Sequence, residues 1–304
     1  MRKYDISKEF GFYSRFTPPI NDLTVKTWKN IIKNSYKTLS RYDGISYEKI
    51  DTDGFYTVFI SPETEEKTAL PCIICFHGGA FVFFSHKSHY KTAVNYVKNL
   101  GVKVALVNYR TAPENPYPTS ENDCKTALKY IVSNAKKLGI DADKIAIAGD
   151  SAGGNLTAKV GRYARANGIK IKCQAYFYPV TDPDVQTESK RLFTDTPMWN
   201  SVLNEKMWRY YFNGKSADDA GYDKIFSENF NLSDAPAFIE ACEFDCLRDE
   251  GKALCNYFVS NDVNVEFNLV KNAMHGYEIK DTEITRKAFL KRVDFFKKHL
   301  LTDL

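Results

Sequence analysis

Short apolar runs alternate with helically spaced stretches through most of this chain. The runs at 72–76, 102–108, 145–148 and 173–178 are mostly Val, Ile, Ala, Cys and aromatic residues, the pattern of strands buried on both faces. Runs at 237–242 and 265–270 read as further strands. Between them, apolar residues recur three and four apart: Tyr90, Val94, Tyr96, Val97 and Leu100 before Gly101, a span at 120–138, the stretch resuming at Gly154, and a last helix at 283–300 carrying Ile284, Phe289, Leu290, Val293 and Phe296. Alternation of this kind predicts an α/β fold, a mostly parallel central sheet with helices on both faces. Ligands of such sheets bind at the carboxyl ends of the strands.

Two segments break the rhythm. The amino-terminal stretch is crowded with aromatics at 10–16, after which Leu23, Trp28, Ile31, Ile32 and Tyr36 follow roughly a helical stripe that needs an apolar surface to lie on. Two short strands, 45–50 and 55–61, follow with Asp53 and Gly54 as their turn, and then a polar loop at 62–68. Residues 181–233 place Met198, Trp199, Met207, Trp208, Tyr210, Tyr211 and Phe212 among polar residues, which suits helices with an apolar underside.

Composition narrows the class. A chain of 304 residues fits one α/β domain with an insertion. The net charge of +4 comes from 42 basic and 38 acidic residues that read as spread along the chain, so no basic block argues for nucleic acid. The first nine residues are too charged for the apolar region of a signal peptide and no run approaches a membrane span, which predicts a cytoplasmic protein. Seven cysteines agree with a reducing compartment. Cys72 and Cys75 lie in a strand, where residues three apart point to opposite faces, so they cannot share a metal. No metal or organic cofactor is expected.

The chemistry centres on 144–154, KIAIAGDSAGG. An apolar strand meets Gly149, Asp150, Ser151, Ala152 and Gly153, and helical spacing then resumes. A sharp strand-to-helix turn strains its central residue and brings chain so close that only glycine fits two residues before and after it, holding the serine hydroxyl out at the end of the sheet. The strand at 72–76 runs into His77, Gly78, Gly79, Ala80 and Phe81, where adjacent glycines let backbone N–H groups face a ligand, as an oxyanion hole requires. A serine nucleophile needs a histidine base and an acid that orients it. Glu243, Asp245, Asp249 and Glu250 compete for the acid. Of five histidines, His77 belongs to the glycine turn, His86 and His89 begin a helix in solvated or capping roles, and His299 sits near the chain end as a cation at a helix carboxyl terminus. His275, in a loop after a strand, remains.

HGGAF at 77–81, YRTAPENPYP at 109–118 and GDSAGG at 149–154, in this order, resemble the hormone-sensitive lipase-like branch of the α/β-hydrolase fold over roughly residues 73–277. Thr111 stands where the family usually has leucine, and Ala80 where many members have a third glycine. The resemblance implies Asp245 as the acid, because DCLRDEG is similar to D-x-L-x-D-E-G, with Glu243 in reserve; Asp249 and Glu250 then open the next helix. It implies His275 as the base, in HG followed by an aromatic. Ser151 is then the nucleophile, and the N–H groups of Gly78, Gly79 and Ala152 hold the oxyanion. A cap over the site is implied, built from 1–40 and the insertion 181–233, with 41–180 and 234–304 forming the hydrolase core. The activity implied is hydrolysis of short-chain, acetyl to butyryl, small-molecule esters. An amidase, formamidase or sugar deacetylase uses the same triad, and the plant gibberellin receptors show a non-catalytic binder on this scaffold, although they lack the histidine present here. Oligomeric state is left open, a homodimer among the options.

Overall fold

A computed structural model describes residues 3–64, 68–228 and 230–302. Part of the polar loop at 62–68, and Met1 and Arg2, lie outside the described residues. Eight strands form one sheet: β1 (Ile45–Thr52), β2 (Phe55–Pro62), β3 (Leu70–Phe76), β4 (Lys103–Asn108), β5 (Ile140–Asp150), β6 (Cys173–Phe177), β7 (Ala237–Phe244) and β8 (Val265–Met274), in the order β1-β2-β4-β3-β5-β6-β7-β8. β1–β2 and β2–β4 pair antiparallel, and every pair from β4 to β8 is parallel. The β1–β2 turn falls at Asp53 and Gly54, with Gly54 at φ 89°.

Helices cover both faces. α1 (Asp22–Ile32) belongs to the amino-terminal segment; α2 (Lys87–Leu100), α3 (Thr119–Ser133) and α4 (Ala152–Ala166) alternate with strands; α5 (Glu188–Leu192) and α6 (Ser201–Tyr211) lie in the 181–233 stretch; α7 (Arg248–Ser260) and α8 (Glu283–Phe296) complete the chain. Alternating strand residues divide the core. Ile73, Val104, Ala146 and Ala148 pack with Val94, Val97, Val293 and Phe296 of α2 and α8, whereas Ile74, Ala105 and Ile147 pack with Leu128, Ile131, Leu156 and Val160 of α3 and α4. Each Val, Leu, Ile or Phe side chain among these contributes about 1.5–3 kcal/mol by leaving water, so the central strands are the rigid frame on which the turns at their carboxyl ends are mounted.

Several boundaries differ from the periodicity. α3 stops at Ser133 rather than 138, because Asn134 leaves the helix and its side-chain amide donates back to Tyr130 O at 2.8 Å. β8 continues to Met274, where a loop was expected, and delivers the chain directly to His275. α8 ends at Phe296, and a π-type turn at Lys297–Leu301 finishes it. His299 is buried beside the Phe295 ring, which pushes its imidazole down, so it is not the terminal cation expected.

The amino-terminal helix is present but turned. α1 buries Val25, Lys29 and Ile32, while Leu23 is 74%, Ile31 66% and Trp28 43% exposed. Leu23, Trp28 and Ile31 of the expected stripe therefore face outward, whereas Ile32 is buried and Tyr36 half-buried against the core. What permits a buried lysine is its partners: Lys29 Nζ donates to Ala112 O at 2.8 Å and pairs with Glu114, which answers the cost of burying an ammonium. No helix among the described residues is long and apolar enough to cross a membrane.

Candidate active site

Ser151 stands between β5 and α4 with φ 53° and ψ −119°, a conformation that non-glycine residues avoid. The surrounding chain holds it there. A Cβ on Gly149 would lie 2.1 Å from Gly153 O, and one on Gly153 would lie 1.9 Å from Phe76 O. Those are overlaps with backbone, so both positions require glycine, and β3, β5 and the start of α4 pack at a distance no other residue allows. Gly154 N–H donates to Ser151 O at 2.9 Å and Ser151 N–H to Phe177 O at 2.9 Å.

Asp245 follows β7 and His275 follows β8, so three parallel strands deliver Ser151, Asp245 and His275 to the same edge. His275 Nδ1 lies 2.7 Å from Asp245 Oδ2 and Nε2 lies 2.9 Å from Ser151 Oγ. Asp245 is wholly buried, and its other oxygen accepts the Leu247 N–H at 3.0 Å. A carboxylate can only accept, which puts the imidazole proton on Nδ1 and leaves the Nε2 lone pair toward the serine hydroxyl. The competing carboxylates are engaged elsewhere. Glu243 accepts from Lys271 and the Asn272 N–H, Asp249 from Arg248, Lys252 and the Ser189 N–H, and Glu250 from the backbone and hydroxyl of Thr181.

The glycine turn departs from expectation in one residue. The N–H of Gly78 donates to Asp150 Oδ1 at 2.9 Å, so it is turned toward that carboxylate and is not a free donor. The N–H groups of Gly79, Ala80 and Ala152 donate to no group among the described residues. Gly79 has φ 122° and Ala80 φ 59°. Ala152 opens α4, where unpaired N–H groups and the positive end of the dipole coincide. Ala80, passed over in the sequence, presents an unengaged N–H beside that of Gly79, as Gly78 does not.

His89, expected to be solvated or capping, does more than cap. Its Nδ1 accepts the His86 N–H at 2.9 Å and its Nε2 lies 3.3 Å from Asp150 Oδ2. Because Nδ1 accepts, Nε2 carries the proton and donates. Burial alone would raise the Asp150 carboxyl, but His89 and the Gly78 N–H hold it below the usual range. Beneath the same turn His77 donates from Nδ1 to Gly78 O at 2.7 Å and stacks on Tyr109 with ring centroids 4.2 Å apart, and burial pushes its imidazole down to about 3. Asp150 is visible in the sequence beside the serine, but nothing in the spacing links residue 150 to residues 78 and 89.

Around His275 stand Tyr178, edge-on with centroids 4.8 Å apart, and Trp199, at 5.8 Å. The Tyr178 hydroxyl donates to Glu278, which pairs with the buried Arg292. A cavity of about 280 Å³ opens over Ser151 and His275, walled partly by Pro18 and Ile20 from the amino-terminal segment and by Met198 and Trp199. The two walls are joined where Met198 N–H donates to Phe16 O at 2.7 Å.

Comparison with known proteins agrees with this construction. A family model described as alpha/beta hydrolase fold matches residues 73–279. The carboxylesterase NlhH of Mycobacterium tuberculosis is 32% identical over 240 residues, covering 78% of this chain and 73% of its own. The ethyl acetate hydrolase of Pseudomonas putida is 28% identical over 220 residues, 71% of this chain and 69% of its own. Among solved structures, a bacterial heroin esterase superposes with a TM-score of 0.85 at 27% identity, covering 97% of this chain and 98% of that one. With a sheet of this order, a serine on the β5–α4 turn and a family match over more than half its length, the chain belongs to the α/β-hydrolase family, in its hormone-sensitive lipase-like branch.

Proposed function

We propose that the protein is a serine carboxylic-ester hydrolase that acts on short-chain acyl esters through an acyl-enzyme. The observation that carries this reading is the unbroken line from Asp245 through His275 to Ser151 Oγ, with contacts of 2.7 and 2.9 Å, beside three unengaged backbone N–H groups.

In this mechanism Ser151 Oγ attacks the ester carbonyl carbon while His275 Nε2 takes its proton. Asp245 holds the imidazole tautomer and stabilises the imidazolium. The carbonyl oxygen becomes an oxyanion held by the N–H groups of Gly79, Ala80 and Ala152, whose loss one at a time costs about a hundredfold to a thousandfold in other hydrolases. The carbon–oxygen bond to the alcohol breaks and His275 returns the proton to the departing oxygen. Water then gives its proton to His275 and attacks the acyl-serine, and collapse releases the acid and the free hydroxyl.

Short acyl groups are favoured because a cavity of about 280 Å³ lies at the lower edge of the roughly 300–1,000 Å³ usual for small-molecule sites. Ethyl acetate, in the name of a relative, is a short-chain ester. The segments 1–40 and 181–233 act as a cap in this reading, supported by Pro18, Ile20, Met198 and Trp199 in the wall. A cytoplasmic location is supported by seven unpaired cysteines.

The test is Ser151→Ala. Turnover of p-nitrophenyl acetate and butyrate by the purified protein falls to background, and a fluorophosphonate adduct visible in the intact mass of the unmodified protein is missing from the variant. Turnover near the original level overturns the assignment.

A further inference from the structure

Neither charge nor exposed apolar surface is evenly distributed in this molecule. The first 41 residues hold nine Lys and Arg against three Asp and Glu, and the other 263 hold 33 against 35. The even spread read from the totals is thereby corrected, since the excess positive charge belongs to the amino-terminal segment. Of its cations Lys3 pairs with Asp195 and Lys29 with Glu114. Lys8, Arg15, Lys26, Lys33, Lys37 and Arg41 are exposed and form no ion pair among the described residues.

The same segment carries exposed Phe12, Leu23, Trp28 and Ile31. At about 100° per residue, Val25, Lys29 and Ile32 of α1 point into the protein and Leu23, Thr27 and Ile31 directly away from it. Lys26 and Lys33 fall on one flank of that stripe and Trp28 on the other. Phe12, 69% exposed, stacks on Phe16 at 4.9 Å. This surface adjoins the cavity, because Pro18 and Ile20, just before the Asn21 cap of α1, form part of its wall.

Three occupants suit an exposed apolar face, and charge separates them. A second copy of the chain would bring two sets of unpaired cations together across a two-fold interface. Nucleic acid would meet the cations but not Leu23 and Ile31. An anionic lipid surface satisfies both, with apolar side chains and tryptophan entering at the headgroup level and lysines meeting the negative headgroups. We propose that the amino-terminal segment, residues 8–41, is a docking surface for anionic lipid, with Leu23, Trp28 and Ile31 inserted, which sets the mouth of the cavity against the lipid.

The test uses the full chain with phosphatidylcholine vesicles, with and without about 30% phosphatidylglycerol. The protein co-sediments with the anionic vesicles, at least tenfold less with the neutral ones, and less in high salt. Trp28 emission shifts to the blue on binding, because Trp199 and Trp208 are already buried. Lys26→Glu with Lys33→Glu weakens binding by at least tenfold, at about fivefold per lysine near the surface. Leu23→Gln with Ile31→Gln abolishes it, while circular dichroism and p-nitrophenyl acetate turnover stay unchanged. Equal binding to neutral vesicles, no binding to either, or a dimer that Leu23→Gln with Ile31→Gln dissociates overturns the proposal. Vesicle binding is read without substrate, so failure of the esterase reading leaves it standing and is told apart from its own.

Discussion

Asp150 accepts the backbone N–H of Gly78 at 2.9 Å and thereby ties the residue before the serine to the residue before the Gly79 donor. In the proposed mechanism this carboxylate, itself held by His89, links the nucleophile to the oxyanion site. In Asp150→Asn one oxygen can still accept the Gly78 N–H, but the amide then presents N–H to the His89 Nε2–H. The ring cannot answer by moving its proton, since Nδ1 already accepts the His86 N–H. We expect kcat for p-nitrophenyl acetate to fall by about tenfold to a hundredfold, less than removal of a donor itself, with KM nearly unchanged. A KM effect alone would show that Asp150 shapes binding and not the oxyanion site.

The backbone angles separate the two neighbouring donors proposed for the oxyanion. Gly79 has φ 122°, and a Cβ there would sit 3.0 Å from Phe83 O, so Gly79→Ala must displace the turn and lose activity by about a hundredfold or more. Ala80 already sits at φ 59°, a region glycine enters without cost. Ala80→Gly is expected to keep kcat/KM within about threefold while stability changes little. Ester hydrolysis and thermal unfolding of the two variants, measured side by side, check both.

The architecture was legible because buried strands leave short continuous apolar runs, and the glycine requirement at 149 and 153 because a sharp turn demands it. Ser151, Asp245 and His275 were reached through a fold rule, a resemblance and the elimination of other histidines. The structure brings them together. What the sequence did not yield depends on facing across the fold. No periodicity says that Asp150 meets Gly78, and so Gly78 was counted as a donor and Ala80 was not. Nor does a stripe reveal which side is inward. Lys29 went in because Glu114 and the Ala112 carbonyl, more than eighty residues away, receive it, and Leu23 and Ile31 were left outside.

Glu250 predicts how stability changes with pH. It is fully buried, one oxygen accepts both Thr181 donors, and the other has no partner among the described residues. Burial raises its carboxyl to about 7. Between about 4.5 and 7 the native state holds this proton more tightly than the unfolded chain does, so stability falls as pH rises through that window and is level above it. Glu250→Gln keeps an acceptor for Thr181 and removes the buried charge. The variant should match the original protein near pH 4 and exceed it at pH 8 by about 3 kcal/mol at most. Urea midpoints at the two pH values decide it, and a variant weakened equally at both would show that the carboxyl titrates normally.

Acyl-chain preference tests the cavity wall most directly through Ile20 and Met198. Deleting residues 1–20 would be a poor instrument, because Ile6 and Phe10 are buried in the main core and losing one such aromatic alone costs about 3–5 kcal/mol. Point changes avoid this. Ile20 and Met198 meet the cavity from opposite segments, and neither belongs to the hydrogen-bonded line at Ser151. Ile20→Ala and Met198→Ala each remove several carbons from the wall, worth about 0.8 kcal/mol per methylene that a longer acyl chain can then bury, or about fourfold. On p-nitrophenyl esters from acetyl to dodecanoyl, the original protein should peak at acetyl to butyryl. Each variant should move the peak toward hexanoyl through a lower KM, with kcat for acetate within about twofold. An unshifted profile in both variants would mean that the acyl group lies against another wall, and a maximum at ten carbons or more in the original protein would overturn the short-chain reading itself.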